Sequence, residues 1–364
     1  MEYALGTPAK SGVGNNRFRL EVNATTGAVD ALVTRPTGEH RDLRYLLEGS
    51  NDLIAWTSLT VTPALQVGTN QTETLRFGNV TTAFLRLKVA LDADLDGTPE
   101  ASAITGEEGW SRRIFPVGRQ TLSMPLLKPA VFTGRVVRVT GTQITLPVTV
   151  TLPSGAHYLE VLDGPLAGQI FDLDAQFNLP ASFALAGVRV AIRPHWTLDS
   201  LLPATTLQAA ATQENADRIL FFDSITNSFQ IHWLSLATTE PQWLRDGAAS
   251  ARVIAPQEGL FVQIRSAPAV VTFLGSVRSS QLALPQSNGT RFIGTGLVTP
   301  LAPSAQPFSM GSRLRLWNGD TDAAAVNYQN YLLNPQSRWI DEATGLDVTT
   351  QPFLDAFRAH FLVK

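Results

Sequence analysis

The sequence predicts an all-β chain built of modules: an N-terminal Ig-like β-sandwich, then duplicated antiparallel β-modules of sandwich or barrel type, with little helix. Two observations predict this. Apolar and polar residues alternate in segment after segment, as in Phe18-Arg19-Leu20-Glu21-Val22, Phe84-Leu85-Arg86-Leu87-Lys88-Val89, Val188-Arg189-Val190-Ala191-Ile192 and Arg313-Leu314-Arg315-Leu316-Trp317. Successive side chains of a strand point to opposite faces, so this pattern suits a strand with one face buried. The segments are separated by turn formers at short intervals, among them Thr37-Gly38, Gly78-Asn79, Thr140-Gly141, Pro153-Ser154-Gly155 and Asn288-Gly289. That spacing leaves no room for regular βαβ units.

Along the chain, residues 3–91 read as about seven short strands. The polar, acidic stretch ADLDGTPEASAITGEEGWSRR then separates them from a new series starting at Phe115. The expected domains are residues 1–104, 105–270 and 271–364. Residues 197–217, rich in Ala, Leu and Gln, suit a short helix. The part after residue 118 repeats itself. Phe132-x-Gly134-x-Val136 recurs as Phe273-x-Gly275-x-Val277, and Gly187-x-Arg189-x-x-Ile192 as Gly311-x-Arg313-x-x-Leu316. Trp243, Pro256 and Phe261 recur as Trp339, Pro352 and Phe357 at a constant offset of 96. The repeat assigns the ambiguous C-terminus, Phe357–Val363, to a strand like Phe261-Val262-Gln263-Ile264-Arg265.

Composition bounds the function. The net charge is −3, from 28 basic and 31 acidic residues, so no overall field draws the chain to nucleic acid. Charged residues make up only 16%, against about a quarter in ordinary domains. Lysine is confined to Lys10, Lys88, Lys128 and Lys364. With no cysteine, disulfides, thiolate metal sites and Cys nucleophiles are excluded. No apolar run approaches the roughly 20 residues of a membrane span. The first 25 residues lack the basic start and apolar run of a secretory leader.

The clearest chemical motif is Asp92-x-Asp94-x-Asp96-Gly97-x-x-Glu100. Carboxylates at alternate positions converge on one hard cation where a glycine lets the backbone turn, and oxygen ligands suit Ca²⁺. Asp92, Asp94, Asp96 and Glu100 are the expected ligands, with Glu107 and Glu108 as further candidates. The twelfth position, where an EF-hand carries its bidentate Glu, is Ala103. The alternative is a solvated acidic linker. His40, His157, His195, His232 and His360 show no metal-ligand spacing. His195-Trp196 and His232-Trp233 read as strand ends with Trp buried and His exposed. Among the seven tryptophans, the repeated Trp243 and Trp339 read as core, and so does Trp56, whereas any exposed ring would suit a sugar. No G-x-S-x-G elbow or phosphate loop occurs. Carboxylates such as Asp217, Asp223, Asp320 and Asp322 cannot be paired across a cleft by spacing alone.

The segments SMPLLKPAVFTGRV (123–136), IRPHWTL (192–198), ADRILFFD (216–223), APQEGLFVQIR (255–265) and RFIGTGLVTPL (291–301) carry a resemblance. Through them residues 110–364 resemble an uncharacterised family of secreted, tryptophan-containing β-rich proteins of Gram-negative bacteria. YLLEGSNDLIAWTSL (45–59) and FLRLKVAL (84–91) resemble an Ig-like module common in such proteins. The resemblance implies compartment and architecture, not a reaction. The expectation is therefore an extracellular or cell-surface structural or interaction protein, open to self-assembly into a filament or surface layer through edge strands; the terminal segment 357–364 either pairs within its own domain or adds to the sheet of the next subunit. The rival expectations are a carbohydrate-binding protein and, behind it, a hydrolase.

Overall fold

The computed structural model describes residues 17–38, 42–67, 72–236, 240–278, 280, 282–283, 288–319 and 328–364. His40, Asp320 and Asp322 lie outside them, as do the strand segments expected before residue 17. The described chain is nearly all β, in open sheets with no closed barrel. Every strand pair whose register is described is antiparallel. The expected helix within 197–217 is one turn, Leu198–Leu201, closed by a capping box between Thr197 and Ser200.

Residues up to 115 form two facing sheets. One runs in the order Phe18–Val22, Val29–Pro36, Thr72–Phe77, Ala64–Val67. The other contains Thr57–Ser58, Leu43–Ser50, Phe84–Leu91 and Glu108–Phe115, with Ala101–Ile104 beside Phe84–Leu91 and Ala269–Ser276 at the far edge. Alternation decides which side chains meet: Phe18, Leu20, Ala31, Val33, Leu75 and Phe77 of the first sheet pack against Leu47, Leu85, Leu87 and Val89 of the second. The first hairpin closes because Asn23 Oδ1 accepts the N–H groups of Thr25 and Thr26 and Gly27 takes a φ of 68°.

The repeat is wider than a duplication. Three sheets share one strand order, in which the last strand inserts between the first and the second. In Phe132–Arg135, Arg189–Pro194, His157–Val161, Ile170–Leu173 the chain order is first, last, second, third. The same order holds for Gly118–Ser123, Gly259–Ile264, Arg218–Asp223, Ser228–Ser235, Gln242–Arg245. It holds again for Thr290–Ile293, His360–Val363, Arg313–Trp317, Tyr328–Leu333, Trp339–Asp341. The first of these sheets lies in sequence inside the second, between Ser123 and Arg218.

Register fixes the equivalences between the last two sheets. Trp243 pairs with Leu234 and Trp339 with Leu333, so the two tryptophans hold one position, each 1% exposed. Following the ladders inward sets Ile219 beside Val262 and Leu314 beside Leu362, which makes Phe261 equivalent to Phe361 and not to Phe357. The constant offset of 96 fails because the connection lengthens: 18 positions separate Trp243 from Phe261, and 22 separate Trp339 from Phe361. The earlier landmarks also realign. Arg189 lies on the last strand of its sheet and Arg313 on the second strand of its own, while Phe273 belongs to the N-terminal sandwich sheet.

These two sheets are related by an internal two-fold axis. Gly294 N–H donates to the Gln257 carbonyl at 2.9 Å, and the equivalent Ser123 N–H donates to the Phe357 carbonyl at 3.1 Å. Equivalent residues touch each other, as an isologous contact requires. A Cβ on Gly259 would lie 2.6 Å from the Ala359 Cβ, and one on Gly294 2.3 Å from the Ser123 Cβ. Around this crossing, Phe292 stacks between Phe261 and Phe361 at 4.9 and 4.4 Å, with Trp317 edge-on to Phe261. The terminal strand His360–Val363 is bonded on both sides, to Thr290–Ile293 and Arg313–Trp317. It therefore has no free edge to offer a neighbouring subunit: of the two readings of 357–364, the strand pairs within its own domain.

Two compact units emerge, each discontinuous: Met1–Ser111 with Leu126–Pro194 and Thr272–Ala283, and Arg112–Pro125 with His195–Val271 and Leu284–Lys364. The boundaries expected at 104 and 270 follow the order of the chain, whereas these units follow shared cores.

Candidate functional site

The acidic motif forms the loop between Phe84–Leu91 and Ala101–Ile104, which pair from Leu91–Ala101 onward. Leu95 and Gly97 turn the backbone through φ of 61° and 98°. One oxygen from each of Asp92, Asp94, Asp96 and Glu100 lies within 4.8 Å of the others. Asp92 is 1% exposed and anchors the loop: its carboxylate accepts the Gly97 N–H and pairs with Arg44 Nη2 at 2.6 Å. Asp94 Oδ1 accepts the Asp96 N–H at 3.2 Å, Asp96 Oδ1 the Thr98 N–H at 2.7 Å, and Glu100 Oε2 the Ala93 N–H at 2.8 Å. The Ala93 N–H, foremost, holds the Glu100 carboxyl below its ordinary range.

The donor set fits a hard cation in charge and atom type. Arg44 already neutralises part of Asp92, so a cation competes with a guanidinium there. Ala103 lies in strand Ala101–Ile104 and brings no oxygen from its side chain. Glu107 and Glu108 do not join the cluster. Glu108 turns instead to Ser276, whose hydroxyl donates to it at 2.8 Å.

The histidine–tryptophan pairs are oriented opposite to expectation. His195 and His232 are buried at 6% and 1%, while Trp196 and Trp233 are half-buried. Alternation separates two faces without saying which one turns inward. His232 Nδ1 meets Ser250 Oγ at 2.7 Å, and its Nε2 and that of His360 are buried without a hydrogen bond. Burial pulls both imidazoles down to about 4. Among the described residues no tryptophan is exposed. Trp243, Trp317 and Trp339 are core, and half-buried Trp56 lies under the Arg86 guanidinium at 4.1 Å. Asp217 and Asp223 serve the backbone: Asp217 accepts the N–H groups of Gln208 and Arg265, and Asp223 those of Ile225 and Thr226.

A second polar site went unseen in the sequence. In the unit that holds the N-terminal sandwich, a cavity of about 490 Å³ is lined by Glu107, Glu108, Glu160, Arg193, Ser276 and others. Glu160, 1% exposed, accepts from Arg193 Nε at 3.1 Å, from Ser280 Oγ at 2.5 Å and from Arg278 Nη1. These residues come from positions up to 120 apart in sequence, so no local spacing signals them.

Compared with known proteins, the chain matches no family model, no curated protein and no solved structure. The resemblance of residues 110–364 to a secreted family therefore rests on the quoted residues alone.

Proposed function

We propose that this chain is an extracellular structural or interaction protein whose loop 92–100 binds Ca²⁺. The observation that carries the reading is the convergence of Asp92, Asp94, Asp96 and Glu100 within 4.8 Å on a loop between two paired strands. A cation there offsets the repulsion among the carboxylates and ties both strand ends together. A site with so few charges, one of them shared with Arg44, belongs with the weak class, Kd about 10⁻⁴–10⁻³ M, which fills only where calcium is millimolar, as outside cells. The sparse charge favours the same compartment.

At 1 mM Ca²⁺ and a Kd near 0.1 mM, mass action adds about 1.4 kcal/mol to the folded state. Titration calorimetry should give one site, lost in Asp94→Asn/Asp96→Asn, and a chelator should lower the melting temperature of the wild type only. Absence of binding heat together with unchanged melting overturns the metal reading.

Self-association through edge strands belongs to the same proposal, moved away from the C-terminus. Ala64–Val67 ends its sheet and carries Leu65, 55% exposed, and Ile170–Leu173 ends another. An unpaired edge invites pairing, and a lysine on it blocks that. Sedimentation velocity should reveal oligomers that Leu65→Lys diminishes. A monodisperse monomer at high concentration with calcium present removes the assembly reading.

A further inference from the structure

The cavity in the N-terminal unit joins three properties that internal packing does not require. First, two of its cations have no anion partner among the described residues. Arg17 and Arg189 line it, and among the described residues neither side chain has a carboxylate or hydrogen-bond partner. Arg193 gives Nε to Glu160 and Nη1 to the Lys128 carbonyl, leaving Nη2 without a partner among the described residues. Three guanidinium groups and three carboxylates line the cavity, and Arg278, outside the lining, neutralises Glu160 from behind, which leaves an excess of one positive charge, or of two when Glu108 is protonated.

Second, the two innermost carboxylates differ in role. Glu160 has both oxygens occupied by Arg193, Arg278 and Ser280, so it cannot act as nucleophile or base and serves to hold Arg193 in place. Glu108 has one described hydrogen bond, from Ser276, and burial pushes its carboxyl up to about 7. Third, the walls carry hydroxyls: Thr105, Thr133, Ser276 and Ser280. The cavity volume, about 490 Å³, lies in the range of small-molecule sites.

We infer that this cavity binds a small organic anion rich in hydroxyl groups, of the size and chemistry of a hexuronic acid, with its carboxylate on Arg193, Arg189 and Arg17 and its hydroxyls on Glu108, Ser276 and Thr133. Guanidinium forks match planar carboxylates, and a protonated carboxyl donates to a ligand oxygen. With no exposed tryptophan to stack on, recognition rests on charge and hydrogen bonds, and a neutral sugar binds much less well. Glu108 couples binding to pH. It is faced by Ser276 on Ala269–Ser276, by Arg193 on Arg189–Pro194, by Glu160 on His157–Val161 with Arg278 behind, by its neighbour Glu107, and by Arg17 ahead of Phe18–Val22. Ionised Glu108 repels an incoming anion, so affinity falls as pH rises through its titration.

The test is calorimetry of the full chain with glucuronate as probe and glucose as neutral control, at pH 6 and pH 8. Glucuronate should bind at one site, with glucose at least about tenfold weaker, the worth of one charged contact. Affinity should drop several-fold from pH 6 to pH 8. Arg189→Gln, at an exposed position, should cost about tenfold. Glu108→Gln should flatten the pH dependence while retaining binding. Arg193→Gln risks the fold through Glu160, so Thr133→Trp, which fills the cavity from the strand Phe132–Arg135, replaces it and should abolish binding with the circular dichroism spectrum intact. Equal affinity for glucose and glucuronate, binding that survives Thr133→Trp, or no binding of glucuronate at pH 6 overturns the inference. None of these outcomes depends on calcium, which keeps it separable from the loop.

Discussion

Removing the Glu160 carboxylate should destabilise the N-terminal unit more than any single surface change. The Glu160 and Arg278 side chains are each 1% exposed, and Arg193, 13% exposed, faces the same carboxylate. Glu160→Ala thus leaves one fully buried guanidinium without an anion and sets it against a second. Breaking a buried pair from one side costs about 3–5 kcal/mol, because the remaining charge keeps its desolvation penalty. For a unit of roughly 150–250 residues each kcal/mol is worth about 2–4 °C, so the corresponding transition should fall by about 6–20 °C. Differential scanning calorimetry of the full chain measures this, and amide exchange in His157–Val161 assigns the transition. The sharper measure is the double variant Glu160→Leu/Arg278→Met. Removing both charges removes the penalty, so the double should be more stable than Glu160→Ala by a few kcal/mol. If Glu160→Ala shifts melting by less than about 2 °C, or the double is as unstable as the sum of its singles, the buried-charge account is wrong.

Three further predictions concern stability. His232 and His360 titrate near 4 when folded and near 6.5 when unfolded, so the unfolded chain takes up their protons first; the unit holding them should lose about 1.4 kcal/mol per pH unit per histidine as pH falls from about 6.5 toward 4, partly offset by Glu258, which burial raises. Glu108 acts with the opposite sign in the other unit, its raised carboxyl giving stability that is complete below about pH 4.5 and lost as pH rises through 7, so amide exchange should show the two units responding oppositely between pH 7 and 4.5; parallel responses would refute the assignment. Gly259→Val should cost about 1–3 kcal/mol or more in chemical denaturation, because its first carbon would lie 2.6 Å from Ala359 and 2.9 Å from the Phe292 backbone, while Gly106→Ala, which meets nothing within 4 Å, should change little. Trp243→Ala and Trp339→Ala should each cost about 3–5 kcal/mol and agree within about 1 kcal/mol, since the two rings hold one register position; a neutral result for either would break the equivalence.

The strands were legible where one face meets a core and the other meets water. Leu85-Arg86-Leu87-Lys88-Val89 alternates in sequence and in burial alike, and Arg313-Leu314-Arg315 does the same. The tryptophans of the repeat were legible because a buried ring is hard to replace. The register beyond them was hidden by a four-residue lengthening of one connection, which moved Phe357 into the place where Phe361 belongs. The third copy was missed because it lacks such a tryptophan and interrupts another module. The acidic loop could be read because its groups are local, every donor lying within nine positions. The cavity could not, since Glu108 and Ser276 meet across 168 positions and Glu160 and Arg278 across 118. Only the tertiary pairing of strands creates that site, and each residue alone looks like ordinary surface charge.

The nesting of one sheet inside another sets an order of events during synthesis. Strand Gly118–Ser123 leaves the ribosome early, but its partner Gly259–Ile264 follows only after a further 136 positions. At about 5–20 residues per second that is a wait of roughly 7–27 s. The sheet at 132–194 has all its strands within that interval and can close first, shortening the span the outer strands must bridge. Until then Gly118–Ser123, which carries Leu122 and is followed by Met124 and Leu126, has no strand partner. During that wait its apolar residues are the kind of surface a holding chaperone binds.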